Sequence, residues 1–159
     1  MTNLPKRKPT RLKDFDYSAP GAYFVTICTQ NRRKILSNII VGEDLCALPK
    51  NELTPRGECV KNSLEFIDVN YIGVKIDKYI IMPNHVHIII SLSGGHGNPP
   101  LQSIVGQMKS YVTNKFKSDI FQRSFHDHII RGEEDYREIW NYIDTNVLKW
   151  KTDCFYSEG

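Results

Sequence analysis

Two strand-like segments that follow one another almost directly determine which kind of sheet this chain can form. Residues 74–81 alternate along their length, and one face of this segment is predicted to hold Val74, Ile76, Lys78 and Ile80. Residues 85–92 begin after only three residues, Met82-Pro83-Asn84. A connection this short joins antiparallel neighbours, because parallel strands need a crossover of roughly a dozen or more residues. The segment therefore predicts an antiparallel hairpin.

Other segments show weaker strand patterns. Residues 22–29 are rich in β-branched and aromatic side chains, which favour a strand. Residues 35–51 contain short apolar pieces, 39–41 and 45–48, that suggest a second hairpin. Residues 121–130 are predicted to be extended.

Three segments have helical spacing. Thr54-Pro55 is a typical helix start, since a hydroxyl can cap the helix and proline suits its first position, and the apolar repeat continues to about Asn70. A second apolar stripe runs from Leu101 to about Phe116. Acidic residues in 132–135 favour the start of a last helix, whose stripe is predicted to comprise Ile139, Tyr142, Ile143, Asn146, Val147 and Trp150.

This order of elements predicts an α+β fold. We expect a ferredoxin-like sandwich, in which a mainly antiparallel sheet has helices packed on one face. Along the chain we expect a basic N-terminal arm at 1–20, a single folded domain at 21–152 and a C-terminal tail at 153–159. Such a fold has many functions, so function must be argued from particular residues.

Length and composition exclude several classes of protein. The 159 residues suffice for one domain, and 40% hydrophobic with 25% charged residues is ordinary globular composition. No run approaches the roughly 20 apolar residues of a membrane span. The cysteines (Cys28, Cys46, Cys59 and Cys154) form no C-x-x-C pair. We expect a cytoplasmic protein with reduced thiols and no membrane partner.

The positive charge is concentrated in two places, although the net charge is only +3. No acidic residue precedes Asp14, and the basic residues before it are Lys6, Arg7, Lys8, Arg11 and Lys13. Arg32, Arg33 and Lys34 follow the first strand-like segment. Each cluster fits a solvated surface and a phosphate-binding surface equally well.

The sharpest feature is His85-Val86-His87 within an apolar strand. Residues i and i+2 lie on the same face of a strand, roughly 7 Å apart, so the two imidazoles can bind one ion. The alternative is a pair of unrelated histidines in the core. A metal site also needs at least one further ligand.

A second His-x-His pair competes with the first. His126 and His128 flank Asp127 in another extended segment. They could be polar residues on a partly exposed strand, or they could support the site or contact nucleic acid. Spacing alone does not separate the two pairs.

The last helix offers polar groups that could complete a site with the first histidine pair. Tyr142 and Asn146 are spaced i and i+4, which places them together on the face expected to meet the sheet. A buried asparagine needs a hydrogen-bond partner or a ligand. The alternatives are a helix-end asparagine bonded to nearby backbone and a tyrosine that only packs in the core.

The chain resembles the single-tyrosine HUH transposases, most closely the REP-associated tyrosine transposases. The name-giving motif, histidine, a bulky hydrophobic residue and histidine, is matched by His85-Val86-His87 within residues 82–87. Residues 11–29 are similar to the family's opening strand, and residues 125–131, 135–137 and 142–146 to its catalytic helix and the preceding strand. Many relatives have proline where this chain has Val147, which suggests that the last helix continues to Trp150.

The resemblance implies a metal-dependent DNA strand transferase. Tyr142 is then the nucleophile that forms a 5′-phosphotyrosine, and His85, His87 and Asn146 hold a divalent ion. Imidazole accepts Mn²⁺ as readily as Mg²⁺, so the expected cofactor is Mg²⁺ or Mn²⁺.

The resemblance also implies a DNA substrate that is single-stranded or folded into hairpins. Phosphate contacts are then expected from the basic clusters, with weaker candidates at Lys109, Lys115, Lys117 and Arg131. The protein would act as a monomer or a homodimer, with Tyr142 serving its own subunit or a partner's. Two alternatives are a nucleic-acid-binding or domesticated protein without catalysis and an enzyme of another type with a structural histidine pair.

Overall fold

The computed structural model describes residues 11–43, 47–94 and 97–156. Lys6, Arg7, Lys8 and Cys46 lie outside these ranges. The elements are β1 (Gly21–Cys28), β2 (Ser37–Ile40), β3 (Lys50–Leu53), α1 (Pro55–Asn70), β4 (Val74–Ile81), β5 (His85–Leu92), α2 (Leu101–Phe116), β6 (His126–Ile130) and α3 (Gly132–Asp144).

The main sheet has four strands in the order β4-β5-β1-β6, and every neighbouring pair is antiparallel. This is the strand order of a ferredoxin-like sheet, with the β2–β3 hairpin as an addition after β1. The predicted α+β class and the 74–92 hairpin are confirmed. The second hairpin also forms, although its returning strand is Lys50–Leu53 instead of residues 45–48.

The core fills the space between one face of the sheet and two helices. Val25 of β1 and Ile88 of β5 contact this core, together with residues such as Leu64 of α1 and Met108 of α2. The side chain of Thr54 caps α1 by accepting a hydrogen bond from the Gly57 N–H at 3.2 Å, as the sequence predicts.

The opposite face of the sheet is covered by α3. Ile139 and Ile143 of α3 pack on Ile89 of β5, with Phe24 of β1 alongside. Helices therefore lie on both faces, and the expectation that they would all lie on one face is wrong. A last helix with an apolar stripe needs a partner surface, and α1 and α2 already cover the first face.

The structure corrects three further details. A β-bulge between Ile76 and Lys78 interrupts the alternation of β4, so Ile76 and Tyr79 both contact the main core. The extended segment before α3 forms a ladder only from His126. The last helix ends at Asp144, where the backbone and side chain of Thr145 both bond to the Asn141 carbonyl, and it does not continue to Trp150.

No helix in the described part of the chain is long and apolar enough to cross a membrane.

Candidate active site

His85 and His87 lie on the face of β5 that is turned toward α3. In the sheet register, His85 lies opposite Cys28 and His87 opposite Thr26, both on the central strand β1. Both histidines are almost fully buried, with exposures of 0% and 1%, because the rings of Tyr142, Trp150 and Phe155 lie over this face of β5. Their ring centroids lie 4.5 Å apart, as the i and i+2 spacing predicts.

Hydrogen bonds orient both imidazoles. The Nδ1 of His85 lies 2.9 Å from the side-chain oxygen of Asn84, and an amide oxygen can only accept, so Nδ1 carries the proton. The Nδ1 of His87 lies 2.8 Å from the Thr26 hydroxyl, whose oxygen can accept a hydrogen bond from the ring N–H. Each ring then presents an unprotonated Nε2, which is the form that binds metal ions.

Asn146 also lies at this site, although it follows α3 and is not part of the helix. Its side chain is buried, and its amide nitrogen donates to Asp153 at 3.2 Å. Its Oδ1 and the Nε2 of His85 are buried and have no hydrogen-bond partner among the described residues. Buried polar atoms without partners are uncommon and call for a ligand or ion.

Asp153 completes the cluster, and the sequence reasoning missed it. Its carboxylate and the two imidazoles present one ligand atom each within 4.8 Å of one another. The residue follows a 3₁₀ turn at Trp150–Thr152, in a segment with no periodic pattern. The sequence indicates this ligand only through the presence of an acidic residue shortly after Asn146.

Tyr142 reaches the same site from the last turn of α3. Its hydroxyl lies 3.4 Å from Nε2 of His87, and its ring packs edge-on against Phe24 with centroids 6.1 Å apart. The side chain remains 38% exposed, so the hydroxyl is accessible from outside. Burial, and then the charge of Asp153, raise the pKa of Tyr142 above its usual value.

The charge balance of the site favours a cation. Burial lowers the pKa of His85 to about 4, and burial together with the charge of His85 lowers the pKa of His87 well below 6.5. Both rings are therefore neutral near pH 7 and cannot balance the carboxylate of Asp153. Two imidazole nitrogens, an amide oxygen and a carboxylate lie together here, and this set of groups suits a metal ion.

Aromatic and basic residues cover the His85 side of the site. The Phe155 ring lies 4.5 Å from the His85 ring, and the Phe155 carbonyl accepts a hydrogen bond from Asn84 at 2.7 Å. The guanidinium of Arg32 lies 5.7 Å from the Phe155 ring. Asp153 and Phe155, assigned to a tail in the sequence, therefore lie against the histidine pair.

The basic cluster of Arg32, Arg33 and Lys34 lies beside this site, but its residues differ in their contacts. Arg32 and Lys34 are exposed, and the Lys34 ammonium lies 5.0 Å from the Tyr156 ring. Arg33 bonds to the backbone carbonyls of Gln30 and Asp119. Arg32 is thus the basic residue of this cluster placed nearest to the candidate metal ligands.

The other basic candidates lie farther away. Lys109 is half-buried and donates to the carbonyls of Gln122 and Arg123 at 2.6 and 2.9 Å, so its ammonium is used within the fold. Burial lowers its pKa. Arg11 stacks on the Phe125 ring at 4.5 Å, and it lines a cavity together with Arg131 at the β6 edge.

The second histidine pair lies on the edge strand β6. The register places His126 opposite Thr26 and His128 opposite Phe24, and both histidines are exposed. His128 Nε2 lies 2.8 Å from the carboxylate of Asp135, which also accepts from the Arg131 N–H. His128 therefore ties the start of α3 to the sheet and does not join the first pair.

The sequence and the fold of this chain were compared with those of known proteins. No family model matches the chain. An uncharacterized protein from Haemophilus influenzae is 33% identical over 174 residues, which cover 94% of this chain and 93% of that protein. The structure of the REP-associated tyrosine transposase bound to a REP hairpin superposes with a TM-score of 0.67 at 23% identity, over 91% of this chain and 74% of that one. The chain belongs to the same family as the Haemophilus influenzae protein, and its fold is that of the REP-associated tyrosine transposase.

Proposed function

We propose that this protein is a metal-dependent transposase that cleaves and rejoins single-stranded, hairpin-containing DNA through a 5′-phosphotyrosine. The observation that supports this most strongly is the position of the Tyr142 hydroxyl, 3.4 Å from a histidine whose free ring nitrogen belongs to a cluster of ligand atoms. A tyrosine that only packed in the core would not present a 38% exposed side chain to such a cluster.

The residues fit a divalent ion, Mg²⁺ or Mn²⁺. Nε2 of His85, Nε2 of His87, Oδ1 of Asn146 and the carboxylate of Asp153 would hold it. The His85 and Asn146 atoms are buried acceptors without a partner among the described residues. When bound, such an ion acts as a Lewis acid toward the non-bridging oxygens of a phosphodiester. The shared fold with a transposase bound to a hairpin is consistent with this assignment.

The chemistry at Tyr142 follows from its surroundings. The phenol gives up its proton as its oxygen attacks phosphorus and forms a phosphotyrosine. The bond from phosphorus to the 3′ oxygen breaks, and the departing oxygen takes up one proton to become a 3′-hydroxyl, which balances the proton lost by the phenol. Burial keeps the phenol protonated while the site is empty, because it raises the pKa of Tyr142. The new phosphotyrosine ester conserves the energy of the broken phosphodiester bond, so a second 3′-hydroxyl can reverse the step without ATP.

The DNA would approach over the exposed side of Tyr142. Arg32 and Lys34 are the proposed phosphate contacts beside the site, and Arg33, Arg11, Arg131 and the arm residues Lys6, Arg7 and Lys8 would extend the path. His126 on the β6 edge is a further candidate contact. Tyr142 approaches His87 of its own chain, which supports action of Tyr142 in cis.

Covalent capture tests the proposal. We expect the protein, incubated with Mn²⁺ and single-stranded DNA that contains a hairpin with labelled flanks, to give a labelled adduct that survives denaturing electrophoresis. Tyr142→Phe should abolish the adduct, whereas Tyr136→Phe, on the same helix, should retain it. Metal-independent binding without any adduct over a range of hairpins would instead favour the non-catalytic nucleic-acid-binding protein.

A further inference from the structure

A cavity of about 580 Å³ lies next to the candidate metal site, between the β2–β3 hairpin and the turn that follows α3. Its lining includes Lys34, Ser37, Pro83, Leu148, Trp150 and Tyr156. The volume is within the range of pockets that bury small organic ligands, roughly 300–1,000 Å³. Neither histidine of the metal site lines it, so it is a separate pocket.

The cavity and the metal site share a wall. Trp150 lines the cavity, and its ring centroid lies 6.0 Å from that of His85. Pro83, another lining residue, directly precedes Asn84 and His85 in the chain. A group bound in this cavity would therefore lie close to a phosphate held at the metal ligands.

The cavity is lined by aromatic and positively charged side chains. Such walls suit a flat aromatic group attached to an anionic group such as a phosphate. The rings of Trp150 and Tyr156 are nearly perpendicular, at 87°, with centroids 5.3 Å apart. Lys34 and Lys151 supply positive charge at the cavity. Aromatic surfaces with adjacent cations are the usual means of binding single-stranded nucleic acid.

One polar group in the lining has no partner. Ser37 is 1% exposed, and its hydroxyl forms no hydrogen bond with any residue that the structure describes. A buried hydroxyl normally finds a partner, and a hydroxyl can either donate or accept. A ligand with a polar edge would satisfy it, whereas a hydrocarbon would not.

We propose that this cavity binds one nucleobase of the single-stranded DNA, next to the phosphodiester that Tyr142 attacks. The base stacks on the aromatic wall and bonds to Ser37 through its edge, while Lys34 and Lys151 contact the flanking phosphates. The inference rests on the proposed function, because it assigns part of the substrate of the same site.

Photocrosslinking locates the base. The Tyr142→Phe variant, without metal, is bound to hairpin DNA in which 5-iododeoxyuridine occupies one flank position at a time. We expect one position to crosslink to Trp150 or Tyr156, and we expect it to adjoin the bond at which the wild-type protein forms its adduct. Crosslinks that map only to other segments would overturn the proposal.

An abasic substitution at the crosslinked position provides a second readout. Ser37→Ala should weaken binding of the intact DNA about fivefold or more and leave binding of the abasic DNA unchanged. The control Ser103→Ala, on the exposed face of α2, should change the affinity for neither DNA. Equal weakening for both DNAs would contradict a contact between Ser37 and the base. The crosslink to Trp150 or Tyr156 and the comparison with abasic DNA are both read without cleavage. Failure to form an adduct would therefore count against the proposed function and not against the pocket.

Discussion

The side-chain oxygen of Asn84 lies 2.9 Å from Nδ1 of His85 and determines which ring nitrogen of that histidine faces the candidate metal site. The amide nitrogen of Asn84 donates to the Phe155 carbonyl at 2.7 Å, so the orientation of the amide is itself fixed. One asparagine thus connects a proposed metal ligand to the segment that contains Asp153.

Replacing Asn84 should weaken metal binding. Asn84→Ser removes the acceptor that holds the proton on Nδ1, and loss of such a partner of a ligating histidine typically costs about 10- to 100-fold in affinity. Titration calorimetry with Mn²⁺ measures the effect, with Asn70→Ser on the exposed side of α1 as the matched control. Equal Mn²⁺ affinity in the two variants would show that Asn84 does not orient a ligand.

Asp153 should contribute to the same site through its charge. Asp153→Asn keeps the size of the side chain but removes its charge, so we expect the Mn²⁺ affinity to fall by about tenfold or more. Glu138→Gln removes an exposed carboxylate from α3 and should leave the affinity unchanged. An Asp153→Asn variant that binds Mn²⁺ like the wild type would restrict the ligands to the histidines and Asn146.

Loss of charge should affect stability at Lys109 and DNA affinity at Arg32. Lys109→Met leaves two carbonyls without their donor, and we expect the free energy of unfolding to fall by about 1–3 kcal/mol with little change in DNA affinity. Arg32→Gln should weaken DNA binding and reduce its salt dependence, with little change in stability. Urea denaturation and DNA titration at several salt concentrations measure both quantities. A larger loss of DNA affinity in Lys109→Met than in Arg32→Gln would reverse the assignment.

The packing of α3 should matter for the position of Tyr142. Ile143→Ala and Leu64→Ala each remove a buried side chain, and each should cost about 2–5 kcal/mol of stability. Only Ile143 lies on α3, against Ile89. At a temperature where both variants remain folded, we therefore expect the rate of adduct formation to fall in Ile143→Ala and to be nearly unaffected in Leu64→Ala. Equal rates would indicate that Tyr142 does not depend on this contact.

Much of the fold follows from local patterns in the sequence. The 74–92 hairpin, the capped start of α1 at Thr54 and the α2 stripe from Leu101 all depend on short-range spacing, and all three form as predicted. The bulge after Ile76 and the position of α3 on the opposite face depend on contacts between distant segments. No periodic pattern in a single sequence encodes such contacts.

The candidate site shows the same division. His85 and His87 share a face because of strand geometry, and their relation to each other was predictable. Asn146 reaches the site although α3 ends two residues earlier, so the helical spacing gave the right neighbour for the wrong reason. Asp153 lies in an irregular segment, and only the tertiary structure brings it to the histidines.

Mass spectrometry of the covalent adduct shows which residue attacks the DNA. The protein is incubated with Mn²⁺ and hairpin-containing single-stranded DNA, digested with nuclease and protease, and searched for tyrosine peptides with an added nucleotide phosphate. We expect the modification to lie on Tyr142, linked to a 5′ phosphate. A phosphotyrosine on another residue, or cleaved DNA without any phosphotyrosine, would contradict it.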